Sequence, residues 1–339
     1  MINVGIIGLG SMGMTHLEAY SRLDCARVIA VADRKFADPR ASLGRVGNVA
    51  GQVGEVALGA LRKYTDANEL LADPEVVAVD ICAPTHLHRE FALAAIRAGK
   101  SVLVEKPLAR TAAAAREMAD AACAAGVVLM PAHCMRFWRG WDWLKEVVVN
   151  GRFGVVESAA FTRIGAKPTV PFYNDGVNCG GAHLDLHIHD ADFVLHLFGM
   201  PLAATSFGRL GESGAVEHTF TRYQFAGMDA FVTAEGGWTR ASENRPFVMR
   251  FVVTFERATA VYHFGADPEL QLYRPGREPE AVVLAPQPGL GYASEVAEFV
   301  RCVEAGRASE RVTAEDGVCA IQLIEAELRS IESGQTVYL

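Results

Sequence analysis

From His183 to Asp192 the chain reads H-L-D-L-H-I-H-D-A-D, three imidazoles and three carboxylates in one short stretch. An imidazole beside a carboxylate is a ready proton acceptor near neutral pH, because the carboxylate raises the imidazole pKa and orients the ring. Two geometries compete for this stretch. On a strand, alternation puts His183, Asp185, His187 and His189 on one face, a set that resembles a metal site. On a helix, Asp185 and His189 become neighbours at i, i+4, and His183 pairs with His187 on a different face. The apolar residues choose the helix. Leu184, Ile188, Ala191, Leu195 and Phe198 are spaced 4, 3, 4, 3, a helical stripe that stops at Gly199 with Pro201 beyond it. Asp185 with His189 is then a workable general base for a hydroxyl proton. Asp192 and His196 read as structural.

Such a base needs a partner that carries the harder chemistry, and the N-terminus supplies a motif for one. Gly8, Gly10 and Gly13 form G-x-G-x-x-G around Leu9, Ser11 and Met12, after an apolar strand over Ile2 to Ile7 and before a helical pattern over Thr15 to Leu23. The first glycine allows a tight turn, the second lets backbone approach a pyrophosphate, and the third lets the helix pack on the strand with its bare N–H groups facing the phosphates. A second strand over Arg27 to Ala32 ends at Asp33, twenty residues after Gly13, where a carboxylate meets an adenosine ribose. Asp33 favours NAD, since a carboxylate repels a 2′-phosphate. Arg34 and Lys35 follow it and keep NADP as the alternative.

Two other clusters close candidate strands. Cys82-Ala83-Pro84-Thr85-His86 lies at a strand end, where open parallel sheets bind ligands. Pro84 favours a turn, and His86 either approaches the cofactor or is a solvated loop histidine. Val104-Glu105-Lys106-Pro107 lies at another. A lysine there can hydrogen-bond a substrate hydroxyl and stabilise negative charge developing on it. The bland reading of Lys-Pro is a surface turn, and the proline admits a cis bond.

The elements that must position these residues fall into two patterns. Residues 1 to about 130 alternate strand and helix, which argues for an α/β, doubly wound parallel sheet. Ala41 to Ala60 is too glycine-laden to assign. Beyond residue 150 strands come in series, from Val155 to Thr162 through Ala281 to Leu284, with helices near residue 190 and at Ser294 to Glu304 and Glu315 to Ser333. That is an α+β domain with a large, mostly antiparallel open sheet. The expected domains are 1–130, binding the dinucleotide, and 131–339, binding substrate and mediating oligomerisation. Val248 to Phe255 carries apolar residues on both alternations, which predicts a homodimer or homotetramer through the outer sheet face.

The composition limits the remaining choices. At 339 residues and half hydrophobic, the chain can bury two cores. A net charge of −8 with no basic stripe excludes non-specific nucleic-acid binding. No apolar run is long enough for a membrane span, and the N-terminus lacks the basic start of a signal peptide. Seven scattered cysteines with no C-x-x-C read as reduced thiols in a cytoplasmic protein.

Taken together, Gly8-Leu9-Gly10-Ser11-Met12-Gly13, Ala98-Gly99-Lys100 leading to Glu105-Lys106-Pro107, Gly180-Gly181, and Asp185-x-x-x-His189-x-x-Asp192 resemble the Gfo/Idh/MocA family of glucose–fructose oxidoreductase and inositol dehydrogenase. The resemblance spans essentially the whole chain. It implies a Rossmann first domain and oxidation of a secondary hydroxyl on a sugar, inositol or related polyol by hydride transfer to NAD(P). His189 would be the base, Lys106 would polarise the hydroxyl oxygen, and Asp185 would orient the histidine. Gly8, Gly10, Ser11, Met12, Gly13, Asp33, Arg34, Pro84, Thr85, His86, Glu105 and Lys106 would line the cofactor. The family position of Lys106-Pro107 is commonly cis. Arg136, Trp138 and, more loosely, Trp238 would line the substrate. His187 departs from the family pattern, which has a small residue there, and either contacts substrate or crowds the pocket. It keeps open a metal-dependent hydrolase or lyase built on His183, His187, His189 and Asp185. A non-catalytic NAD-binding regulator and an enzyme that retains its cofactor between turnovers also stay open on the residues.

Overall fold

The computed structural model describes residues 1–37, 58–239 and 247–339. In chain order the first elements are β1 (Ile2–Ile7), α1 (Ser11–Ser21), β2 (Ala26–Ala32), β3 (Arg62–Tyr64), α2 (Ala67–Ala72), β4 (Ala78–Ile81), α3 (His88–Arg97), β5 (Ser101–Glu105), α4 (Ala112–Ala125) and β6 (Leu129–Ala132). There follow α5 (Arg139–Val149), β7 (Val156–Ala166), α6 (Gly176–Cys179) and α7 (Ile188–Phe198). Next come β8 (Ala203–Leu210), β9 (Val216–Phe225), β10 (Met228–Thr239), β11 (Val248–Phe255), β12 (Ala258–His263), β13 (Leu270–Tyr273) and β14 (Glu280–Ala281). The chain ends with α8 (Leu290–Ala305), α9 (Ala314–Ser333) and β15 (Val337–Tyr338). It forms two compact units, one of residues 1–137 and 288–318, the other of residues 138–287 and 319–339.

In the first unit, six described strands form a parallel sheet in the order β3-β2-β1-β4-β5-β6. This is the doubly wound order, whose reversal between β1 and β4 makes a ligand crevice at the strand C-termini. The strands are short apolar runs because both faces are covered. β4 is buried throughout, Asp80 included. Helix ends follow the sequence: Thr111 caps α4 by accepting the Ala114 N–H at 3.2 Å, and Gly126 ends it at φ +66°. The core joins Val4, Ile6, Leu17, Leu103 and Met130 with Val296, Phe299 and Val300, so α8 packs in this unit. β3 was not anticipated, and the unassigned stretch Ala41 to Ala60 lies mostly outside the described residues.

In the second unit, nine described strands run β14-β13-β12-β11-β7-β10-β9-β8-β15. The pairings are antiparallel except β7 with β10, which are parallel. One face is covered. Trp141 of α5 is fully buried, with Phe193 of α7 edge-on at 4.8 Å and Phe251 of β11 at 5.5 Å. The alternation on β11 is clear: Met249, Phe251, Val253 and Phe255 are buried, while Arg250 and Val252 are exposed. The opposite face is open, with Phe207 69 % and Phe231 55 % exposed. None of the seven cysteines is joined in a disulfide. Among the described residues, no helix is long and apolar enough to cross a membrane.

Candidate active site

The glycine turn is built as the sequence requires. Gly8 has φ +92°, and an added Cβ there would lie 2.6 Å from the Cys82 carbonyl oxygen. A Cβ on Gly13 would lie 2.0 Å from the Gly8 oxygen, so only glycine lets α1 settle onto the turn. A Cβ on Gly10 would meet nothing within 4 Å, so backbone faces open space where a phosphate can approach. Ser11 and Met12 form the first turn of α1, where helical N–H groups lack intrahelical acceptors. Asp33 stands at the end of β2. Its Oδ2 accepts the Leu9 N–H at 2.7 Å and its Oδ1 accepts the Lys35 N–H at 2.9 Å. Each oxygen keeps a further lone pair for a ribose hydroxyl. Arg34 is exposed beside it. These features fit a dinucleotide.

The two loops after β4 and β5 are tied together. His88 is buried, with Nδ1 2.8 Å from the Pro107 carbonyl and Nε2 2.8 Å from the Ala83 carbonyl. Burial holds its pKa below the ordinary value, against the pull of the two carbonyls, which favour the charged ring. Pro84 and His86 are exposed and Thr85 is buried. The Lys106–Pro107 bond is cis. From Val102 to Ala109, Lys106 is the one residue that is not buried.

Behind Lys106 lies a buried knot. His16 of α1 places Nδ1 2.9 Å from Asp80 and Nε2 3.1 Å from Glu105, with Glu295 at 3.9 Å. Glu105 also accepts the Lys106 N–H at 3.0 Å. Burial works to lower the His16 pKa, but Asp80 and Cys82 outweigh it and hold the imidazole well above its ordinary value. Burial works to raise the Glu105 pKa, but His16 and Lys106 hold it below the ordinary carboxylate range.

In the second unit the predicted helix begins with a different winding. Residues His183–His187 form a π-turn, and α7 continues from Ile188. The apolar spacing predicts a helical face, and the wider turn leaves no mark in that pattern. The rings of His183 and His187 stack at 5.7 Å, as a pair on their own face. Both reach Glu327 of α9: His183 Nε2 is 2.9 Å and His187 Nε2 3.0 Å from the same Oε2. Tyr223 donates its hydroxyl to Oε1 at 2.7 Å. Burial lowers the His183 pKa more than Glu327 raises it. At His187 burial works downward too, but Glu327 and Asp190 win and the pKa is raised. Burial would raise the Glu327 pKa, yet the two imidazoles hold it far below the usual carboxylate range. From Gly181 to Val194, Asp185 and His189 are the two residues that are not buried.

Several expected contacts are placed elsewhere. His187 is fully buried against Glu327. Arg136 is 2 % exposed, with its guanidinium 3.1 Å from Asp316 and donating to the Arg311 carbonyl at 3.0 Å. Trp138 is buried edge-on to Phe264 at 5.9 Å. Trp238 is buried against Tyr173 at 5.5 Å. A buried carboxylate holds His187, a partly exposed one holds Arg136, and aromatic neighbours hold the two tryptophans. Among the described residues, the groups whose ligand atoms could hold a metal are His183, His187 and Glu327, and His16, Asp80 and Cys82. Neither group contains Asp185 or His189, so the expected four-residue metal set is not assembled. His16, His88, Tyr223 and Glu327 escaped the sequence reading. For Glu327 a signal existed: it interrupts the apolar stripe Ala320, Leu323, Ile324 of α9.

The Glu327 cluster makes stability depend on pH. A depressed carboxylate pKa contributes stability above its unfolded value, about 4.3, and loses it as pH falls below that. A raised imidazole pKa contributes below about 6.5 and loses it as pH rises through the folded value. Glu327→Gln should therefore cost about 3 kcal/mol near pH 6. The gap between the urea midpoints of the two proteins should shrink steadily as pH falls from about 5 toward the folded carboxylate's own pKa, whereas a gap independent of pH would contradict the ion pairing.

Residues 2–133 match the family model for the oxidoreductase family with an NAD-binding Rossmann fold, and residues 141–261 match the Gfo/Idh/MocA C-terminal domain. The chain is 32% identical over 295 residues to 1,5-anhydro-D-fructose reductase of Ensifer adhaerens, covering 82% of this chain and 84% of that protein. It is also 32% identical over 199 residues to myo-inositol 2-dehydrogenase of Thermotoga maritima, spanning 58% of this chain and only 55% of that protein. In fold it is similar to a levoglucosan dehydrogenase solved in complex with NADH, with TM-score 0.83 and 23% identity over 99% of this chain and 98% of the other. With a glycine turn, a doubly wound sheet and both domain models in agreement, the chain belongs to the Gfo/Idh/MocA oxidoreductase family, and its first unit is the NAD-binding Rossmann domain of that family.

Proposed function

We propose that the protein is an NAD-dependent dehydrogenase that oxidises a secondary hydroxyl of a sugar, inositol or related polyol. One observation carries this reading: two otherwise buried runs open at Lys106 and at Asp185 and His189, the residues whose chemistry the reaction needs. The relatives named above act on compounds of this class.

Gly8, Gly10, Ser11, Met12 and Gly13 would hold the pyrophosphate, Asp33 the adenosine ribose, and the loops at Pro84–His86 and Glu105–Lys106 the other end. The nicotinamide, when bound, supplies the acceptor for the hydride that leaves the carbinol carbon. His189 takes the hydroxyl proton. Lys106 hydrogen-bonds the same oxygen and stabilises the negative charge that grows as the proton departs. Asp185 orients the histidine. The protein's part is position and electrostatics.

Lys106→Ala should lower turnover on the order of 10³-fold, with NADH affinity nearly intact. A panel of sugars, inositols, anhydrosugars and sugar acids, followed by reduced-nicotinamide absorbance, provides the assay, and near-normal turnover in the variant refutes the role. Asp33 supports NAD over NADP. Fluorescence titration should show tighter binding of NADH than NADPH, and the reverse order would assign the site to NADP through Arg34.

We also infer a homodimer or homotetramer formed through the open sheet face. Phe207 and Phe220 are paired across β8 and β9, and Phe231 and Val252 lie on the same side. Exposed apolar surface of this kind marks an interaction site. Light scattering at micromolar concentration should report an oligomer, and a monomer alone would count against it.

A further inference from the structure

π-Turns are rare and recur at functional sites, since a wider turn makes poorer use of its backbone groups. Here the two ends of the turn, His183 and His187, are both fastened to one oxygen of Glu327, at 2.9 and 3.0 Å. The carboxylate comes from α9, 140 residues beyond His187 in the chain. Its other oxygen is fixed by Tyr223 of β9 at 2.7 Å. The turn is also backed by β10. A Cβ on Gly236 would lie 2.6 Å from the His187 Cβ and 3.0 Å from its Cα, so bare backbone is needed to seat the turn. Asp185 lies between the two fastened histidines, and His189 follows the second by two residues.

We propose that Glu327 is a positioning residue that locks the π-turn from behind and so fixes the directions in which Asp185 and His189 project. The proposal rests on the reading of those two residues as the ones that do the chemistry. Apolar packing alone leaves a turn of this kind free to rewind as an ordinary α-turn, which would rotate Asp185 and His189 relative to each other. Two imidazoles held by a single oxygen do not permit that rotation. Placement errors of about 1 Å at a reacting group cost about 100-fold in rate, so a grip remote from the substrate is felt in turnover.

The test compares Glu327→Leu and Glu327→Gln with the wild-type full-length chain. Leucine removes the acceptor. Glutamine keeps one oxygen that can receive both imidazole N–H groups, and its amide can face the Tyr223 oxygen. In Glu327→Leu, kcat should fall about 100-fold, with NADH affinity unchanged, and Glu327→Gln should recover much of that loss. Hydrogen exchange followed by mass spectrometry should show faster exchange across residues 183–189 in Glu327→Leu and no change across β11 and β12. A general loosening of the second unit, or equal turnover in all three proteins, would overturn the proposal. Stoichiometric zinc in the purified wild-type protein, with segment 183–189 loosened by a chelator, would also overturn it in favour of a metal held by the same three side chains. If the wild-type chain oxidises nothing in the carbohydrate panel, the dehydrogenase reading falls, while the exchange pattern still decides whether Glu327 locks the turn.

Discussion

A carboxylate closed off from solvent is costly unless every lone pair that needs a donor finds one. Glu327 meets that requirement with two imidazoles from one turn and a phenol from β9. The first unit uses the same device. His16 of α1 is set between Asp80 of β4 and Glu105 of β5, and Glu105 receives the backbone N–H of Lys106. In both units an imidazole–carboxylate contact lies within a residue or two of a side chain that the fold leaves accessible. Hydrophobic burial is non-directional. The aim of a side chain therefore has to come from directional bonds, and here these bonds sit on the buried side of the accessible residues.

The two scaffolds answer to different demands. The parallel sheet of the first unit is covered on both faces, and its strand order leaves a crevice where the chain reverses direction between β1 and β4. Glycines 8 and 13 then bring α1 onto β1 so closely that a single methyl group would collide with backbone. The second unit covers one face of its sheet with Trp141 in contact with both Phe193 and Phe251 and leaves the other face bare.

Much of this was legible in the residues. The glycine spacing with Asp33, the run of short apolar strands and the stripe from Leu184 to Phe198 each have one dominant physical reading, and the corresponding elements exist. What escaped was non-local. The stripe could not show that residues 183–187 wind as a π-turn, because the cause lies in α9, far along the chain. The resemblance placed Arg136 and His187 near the substrate, and nothing local could show that Asp316 and Glu327 bond them from remote positions. His16 looked like an ordinary residue in the first helix, and only the fold brings Asp80 and Glu105 to its two nitrogens. β3 is three residues long and carries two charged side chains, so no local pattern announced it.

The bond from the Leu9 amide to Asp33 gives that acidic side chain a second duty. It staples the tip of β2 to the glycine turn, in addition to the ribose contact proposed for it. Redesign of the enzyme toward phosphorylated cofactors by neutralising this position would therefore also unfasten the glycine turn proposed to cradle the diphosphate. A successful switch has to replace the staple as well as the charge, for which a short neutral acceptor such as serine or asparagine, with Arg34 left to meet the extra phosphate, is the conservative design.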